Sequence, residues 1–350
     1  MAYTTIDKST DYFNTVLYTG NGGSNAITGV NFQPDFIWCK ARSIGYDHRS
    51  FNSISGTGKY DDPGNDGVQS SDANSITAFG TDGFTLGSEA GGNVNSQTFV
   101  SWNWRAGTSF SNDASATSIG TIDSSGSVSN DSGFSIVSYT GTGSAGTIKH
   151  GLSTAPNLFI IKRKDTGNDW RVGSSALTNF VKHVNLNTSA AESDLAAAFN
   201  STAPTSSVFS VGTSVSTNAS SGTFIAYCFA EKQGFSKMGS YEGSGDADGP
   251  LIYTGMSTAF VLLKEIDNSN NWMIFDNKRS PFNLRDDFIS SDIADSETTG
   301  NANNRMDMLS NGFKIRGAGS ATNRSGSTYI YMSFAESPFV SSGGTPTTAR

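Results

Sequence analysis

The sequence predicts an all-β protein of three tandem modules, and three observations carry that prediction. A nine-residue stretch occurs three times, as TFVSWNWRA at residues 98–106, TFIAYCFAE at 223–231 and TYIYMSFAE at 328–336. Other landmarks precede each copy in the same order, at nearly constant intervals. The 350 residues include 39 glycines and 23 phenylalanines with only 15% charged residues, a mixture suited to short strands and tight turns and poor for helices. Self-similarity on this scale decides the architecture before any local reading does.

Each copy opens on a short strand that runs into a glycine turn: FNTVLYTGNG at 13–22, FSIVSYTGTG at 134–143 and FSKMGSYEGSG at 235–245. A second strand follows, PDFIWCK at 34–40, PNLFIIK at 156–162 and TAFVLLK at 258–264. From the tyrosine of the turn to the closing lysine the distances are 40−18 = 22, 162−139 = 23 and 264−241 = 23. An Asx-aromatic segment comes next, clear at Asn168–Trp170 and Asn270–Trp272 and blurred to Tyr46 and Asp47 in the first copy. A Gly/Phe strand (GFTLG from Gly83, VFSVG from Val208, GFKIRG from Gly312) precedes the last one. That last strand alternates: Val100, Trp102 and Trp104 share one face, as do Ile225, Tyr227 and Phe229, and Ile330, Met332 and Phe334. A period of two is a β-strand with one face in a core. The other face starts with Phe99, Phe224 or Tyr329 and then carries mostly smaller groups.

The boundaries follow from these landmarks. Module one is residues 1–106, module two 133–231 and module three 232–339, each near the usual domain size. Residues 107–132, rich in Ser, Gly, Asn and Asp, read as a linker in which a short strand is an open alternative, and 340–350 as a flexible tail that orders on a neighbour. The tight junction after Glu231 predicts that modules two and three touch in a fixed orientation. Short helices are expected at residues 193–200 (SDLAAAFN) and, more weakly, at 284–295.

Composition also limits function. A net charge of −8 leaves no basic surface for phosphate backbones, so nucleic acid is not expected as a partner. No apolar run has the length of a membrane helix, and MAYTTIDKSTDYF lacks the basic head and apolar run of a signal peptide, so no membrane partner and no Sec export are expected. Cys39 and Cys228 read as small buried apolar residues with no disulfide between them. His48, His150 and His183 stand at non-equivalent positions without zinc-protease, CxxC or GxSxG spacing, and the reading is non-enzymatic, with no cofactor. Tyr-x-Gly-x-Gly lacks the Lys-Ser/Thr of a phosphate loop and reads as a β-turn. Two acidic loops, with Asp61, Asp62, Asn65, Asp66 and Asp72, and with Glu242, Asp246 and Asp248, are of a kind that holds calcium, but neither has EF-hand spacing, and turn chemistry is the simpler reading. Trp38, Tyr46, Trp170 and Trp272 are candidate glycan contacts, with burial in the core as the competing reading.

The opening MAYTTIDKSTDYFNTVLYTGNG, the run GFSIVSYTGTGSAGTIKHGLSTAPNLFIIKRKD, the phrase PTSSVFSVG at 204–212 and the ending SNGFKIR…TYIYMSFAESPF resemble tandem-repeat structural proteins of marine tailed bacteriophages, of the kind called tail-fibre or lectin-like. The resemblance extends from about Tyr12 to Phe339, with module one departing most. It implies β-sandwich modules of jelly-roll or concanavalin-like layout, a place in the virion, other capsid or tail proteins as partners, and an oligomer on the particle. No catalytic residues come with it. The expected role is a capsid decoration or tail appendage that docks on other virion proteins. The alternative is a carbohydrate-recognising receptor module, and a polysaccharide depolymerase stands third because it needs paired acids in a cleft.

Overall fold

The computed structural model describes residues 2–348. The first 106 residues form β1 (Phe13–Thr19), β2 (Asn25–Thr28), β3 (Phe36–Ala41), β4 (Arg49–Asn52), β5 (Lys59–Tyr60), β6 (Ser70–Ser71), β7 (Ile76–Gly80), β8 (Gly83–Leu86) and β9 (Thr98–Trp104). One antiparallel sheet has the order β1-β9-β3-β4, a smaller one the order β2-β8-β7, and β5 pairs with β6. The middle of the chain supplies β10 (Thr108–Asn112), β11 (Ser124–Ser129), β12 (Phe134–Thr140), β13 (Gly146–Lys149), β14 (Leu158–Arg163), β15 (Arg171–Ser174), β16 (Lys182–Asn185), β17 (Ser193–Asp194), β18 (Val208–Val211) and β19 (Thr223–Phe229). Here the large sheet is β10-β11-β12-β19-β14-β15-β16-β17, and β13 pairs with β18. The last third contains β20 (Ser236–Glu242), β21 (Leu251–Tyr253), β22 (Met256–Glu265), β23 (Met273–Asp276), β24 (Ile289–Ser290), β25 (Met306–Leu309), β26 (Gly312–Ile315) and β27 (Thr328–Pro338). Its sheets are β20-β27-β22-β23-β24 and β21-β26-β25. The protein is all-β, and one strand order recurs in its large sheets: β1-β9-β3-β4, β12-β19-β14-β15 and β20-β27-β22-β23.

The glycine turn after the first strand is built the same way in each third. The tyrosine hydroxyl closes it: Tyr18 donates to Gly92 O at 2.8 Å, Tyr139 to Thr217 O at 2.6 Å and Tyr241 to Thr322 O at 2.7 Å. A buried asparagine five residues before the last strand pins it from the other side. Asn93, Asn218 and Asn323 accept from the backbone N–H of Asn21, Thr142 and Ser244 at 2.9, 2.8 and 2.8 Å. The same three amides donate to Gly87, Gly212 and Gly317 O at 2.7, 2.7 and 2.9 Å. The first glycine of the motif is required by close approach, since a Cβ on Gly20 would lie 2.1 Å from Val94 O, and the second by its left-handed φ of +67° at Gly22. Tyr-x-Gly-x-Gly is therefore turn chemistry, as its sequence suggests.

The alternating stripe of the last strand does not face a second sheet of its own third. Val100, Trp102 and Trp104 join Ile225, Tyr227 and Phe229, and Ile330, Met332 and Phe334, in one central core shared by all three large sheets. Trp104, Phe229 and Phe334 meet one another there, with ring centroids 6.4, 6.1 and 5.7 Å apart. The opposite faces pack on the small sheets and make three local cores: Ile37, Cys39 and Phe51 with Phe84; Phe159, Phe224 and Cys228 with Phe209; Val261, Phe275 and Tyr329 with Phe313. Sandwich-like layers thus exist in each third, but they close around a common centre and are not beads on a string. Large aromatics on one face and smaller groups on the other left the sequence silent about which face met a neighbour.

Residues 107–132 are not a linker. β10 and β11 extend the large sheet of the middle third beyond β12, with Ser125 opposite Ser138 and Ser127 opposite Ile136. Ile122 and Val128 are buried in the local core, and Phe110 packs against it. The backbone ladder holds this stretch, so its serines hide a strand that hydrophobic periodicity cannot reveal. The helix expected at 193–200 shrinks to the single turn Ala196–Phe199, preceded by β17. Residues 284–295 hold no helix; β24 lies there instead. The predicted tail is folded over residues 340–348: Val340 bridges Pro346, and Ser342 N–H donates to Asp7 at 2.6 Å. Ala349 and Arg350 lie outside the described residues.

Candidate functional site

Of the aromatics expected to meet glycans, three have no face to offer. Trp38, Trp170 and Trp272 are 1, 1 and 2% exposed, all within the central core, while Tyr46 alone is at the surface, 36% exposed. The cause lies in the spacing. Trp38 sits two residues before Lys40 on the inward face of β3, and Trp170 and Trp272 each follow the penultimate lysine of a strand by eight residues, 170−162 and 272−264. The same interval from Lys40 reaches His48, so His48, and not Tyr46, stands where the other thirds have tryptophan.

These three rings stitch the thirds together in a circle. His48 Nε2 lies 2.9 Å from Ser290 O in the last third. Trp170 Nε1 donates to Asp62 O at 3.0 Å in the first, and Trp272 Nε1 to Asn185 O at 2.8 Å in the middle. Because Trp38 Nε1 donates to His48 Nδ1 at 2.9 Å, the neutral tautomer with its proton on Nε2 satisfies both contacts. Burial, aided by the nearby Lys40 ammonium, pulls His48 down to about 3.

The lysines repeat the pattern. Lys40 Nζ donates to Ala294 O at 3.1 Å, Lys162 to Asp66 O at 3.0 Å and Lys264 to Ser189 O at 3.0 Å, each reaching the same neighbour as the ring that follows it. All three are 0% exposed, and burial lowers each ammonium to about 8. Backbone bonds run beside them in the opposite sense: Gln69 N–H to Lys164 O at 3.0 Å, Glu192 N–H to Ile266 O at 2.8 Å and Glu297 N–H to Arg42 O at 2.9 Å. Three seams of one design therefore close a ring.

The seams differ at their inner ends. Tyr227 OH accepts from Asn52 Nδ2 at 3.1 Å, and Trp102 Nε1 donates to Asp276 at 3.0 Å, whereas Met332 at the third position has no polar atom to pair. The seam joining the last third to the first is the most charged. Arg279, fully buried, binds Asp276 at 2.5 Å and Glu297 at 2.8 Å, and Glu297 binds Arg42 at 2.9 Å. No peptide bond joins these two thirds, and the ion network supplies a specific lock. Its neighbours keep Asp276 below its usual range despite burial.

The remaining candidates are spent on local structure. His150 and His183 are buried and lowered to about 4, chiefly by desolvation. Cys39 and Cys228 are free thiols pushed up to about 12 by burial, which leaves them poor nucleophiles. In the first acidic loop Asp62 accepts from Gly64 N–H at 2.8 Å and is raised to about 7, mainly by desolvation. In the second, Asp246 accepts from Asp248 N–H at 2.9 Å, and Asp248 pairs with Lys314 and Arg316. Among the described residues no group of three or more His, Cys, Asp or Glu is placed to hold a metal ion. Several surface recesses are open to solvent. One, of about 590 Å³, lies over the β10–β12 extension beside Asn112, Asp123, Ser125 and Ser138.

The seams were legible only as an interval. Lysine plus eight recurs three times, and a ring with a donor nitrogen ends it each time. No curated protein matches the sequence. Residues 8–338 match one family as a single span running through all three thirds, and the chain belongs to that family, a domain of unknown function (DUF7483).

Proposed function

We propose that this chain is a non-enzymatic structural protein of a bacteriophage virion surface, a capsid decoration or tail appendage that acts by docking on other virion proteins. One observation carries the reading. Three lysines and three ring nitrogens, the buried groups with chemistry to offer, are bonded to carbonyls across the seams, and Arg279 is held by Asp276 and by Glu297, which in turn binds Arg42 across the seam. Such a body is stiffened and not armed. The likeness of its opening, turn and closing motifs to tailed-phage structural proteins supports the setting.

Docking falls to exposed loops. Phe282 is 81% exposed and Leu284 38%, neighbours on one loop of the last third, and an apolar side chain held in solvent is a candidate anchor. Particles purified from the producing host, probed with antibody against this chain, are expected to carry it at stoichiometric occupancy. Phe282→Asp is expected to lower that occupancy about tenfold without changing the melting temperature. Particles devoid of the protein sink the proposal, and full occupancy of the variant removes the loop from it.

A further inference from the structure

We propose that the groove between the N-terminal segment and the edge strand β21 is a binding site for a neutral saccharide. This inference is independent of where the protein resides. The recess measures about 400 Å³, within the range of small-ligand sites and close to the size of a disaccharide. Tyr253 stands on β21 and is 59% exposed. Across from it Tyr3 is fixed, its hydroxyl donating to Gly255 O at 2.7 Å and its ring edge-on to Phe339 at 6.4 Å.

Gly255 makes the convergence possible. Its φ is +73°, and a Cβ there would lie 2.6 Å from the Tyr3 hydroxyl and 3.6 Å from that of Tyr253. Two phenols therefore meet over bare backbone, the Tyr3 hydroxyl engaged with Gly255 O and with the Tyr253 and Gln233 side chains, and the Tyr253 ring presents a flat face. Gln233 adds an exposed amide to the rim. A pyranose has matching chemistry, an apolar C–H face for the ring and a girdle of hydroxyls for phenol and amide.

Charge narrows the class. Glu231 and Lys237 at the groove are paired at 2.7 Å, so they cancel, and a net charge of −8 disfavours sulfated or uronic chains. The larger recess over β10–β12 lacks an aromatic platform, because Tyr139 is 4% exposed and its hydroxyl is tied to Thr217 O. The groove is also unrepeated. The positions matching Tyr253 in register are Thr28, opposite Gly83, and Lys149, opposite Val208.

Saturation-transfer NMR on the full chain with methyl β-glucopyranoside, methyl β-galactopyranoside, maltose and lactose tests the site. At least one is expected to bind, with Kd in the millimolar range, and Tyr253→Ala to weaken it about tenfold or more. Tyr253→Trp should retain binding, and Tyr46→Ala should leave it unchanged. Tyr253 is exposed, so the Ala variant is expected to melt as the wild type does. Absence of transfer from all of these sugars overturns the proposal, as does undiminished binding by a folded Tyr253→Ala protein. Occupation of the β21 edge by an extended peptide that sugars do not displace also overturns it.

Discussion

Lys40, Lys162 and Lys264 each bury an ammonium hydrogen-bonded to carbonyl oxygens, and desolvation outweighs the carboxylates that face them, among them Asp295 and Asp47, Asp61 and Asp66, and Asp292 and Glu265. The folded value near 8 lies below the ordinary lysine value of about 10.4. Between those limits the unfolded chain holds protons that the folded chain has released, so stability rises with pH through that window. Below about pH 8 each lysine is a standing cost on the order of 3 kcal/mol. Cys39 and Cys228 act in the opposite sense, because unfolding exposes thiols that ionise above about pH 8.5. A comparison isolates the lysines. Against a variant with all three changed to Met, the wild type is expected to gain several kcal/mol of relative stability between pH 7.5 and 10 in urea titrations. Parallel stability curves over that range would show that the amines are solvated.

The extension of the middle sheet shows what an element can hide. β11 reads SSGSVS, with Val128 its one large apolar residue, yet its backbone is paired on both sides, to β10 and to β12. Amides of Ser125, Ser127 and Ser129, facing the β12 ladder, are expected to exchange with deuterium about as slowly as those of β12 itself, while outward amides of edge strand β10 exchange fast. Fast exchange throughout residues 108–129 would restore the linker reading. The strands carrying large alternating residues, β9, β19 and β27, were plain in the sequence because one face is aromatic or aliphatic at every second position. So was the glycine turn. The partner of that turn was not, since Asn93, Asn218 and Asn323 are single amides that no periodicity marks. The glycan contacts misled for a related reason. Trp170 and Trp272 combine a polar nitrogen with a large apolar face, and both needs were met inside the protein, the ring by the core and the nitrogen by a carbonyl across a seam. Tyr253 gave no signal, because nothing in LIY distinguishes an exposed edge from a buried strand.

At the scale of the whole molecule, each third depends on the other two for one face of its large sheet. Ile330, Met332 and Phe334, with Phe260 and Leu262, are 0–2% exposed in the intact protein, and residues 232–339 alone would leave that stripe in water. A local core such as Val261, Phe275, Phe313 and Tyr329 is small for about 100 residues, and domains of that size bury only part of their surface even when complete. The seam contacts would be lost as well: Lys264 would leave Ser189 behind, and Glu297 would lose Arg42 while Arg279 kept its charge. The intact chain is therefore expected to unfold in a single transition, with calorimetric and van't Hoff enthalpies in agreement. The excised span 232–339 is expected either to stay unfolded or to rebuild the ring as a homotrimer, its inner stripes meeting as Trp104, Phe229 and Phe334 do. Sedimentation and circular dichroism distinguish the outcomes. A folded monomer of this span, melting within a few degrees of the parent, would mean that the central core contributes little and that the thirds are independent sandwiches after all.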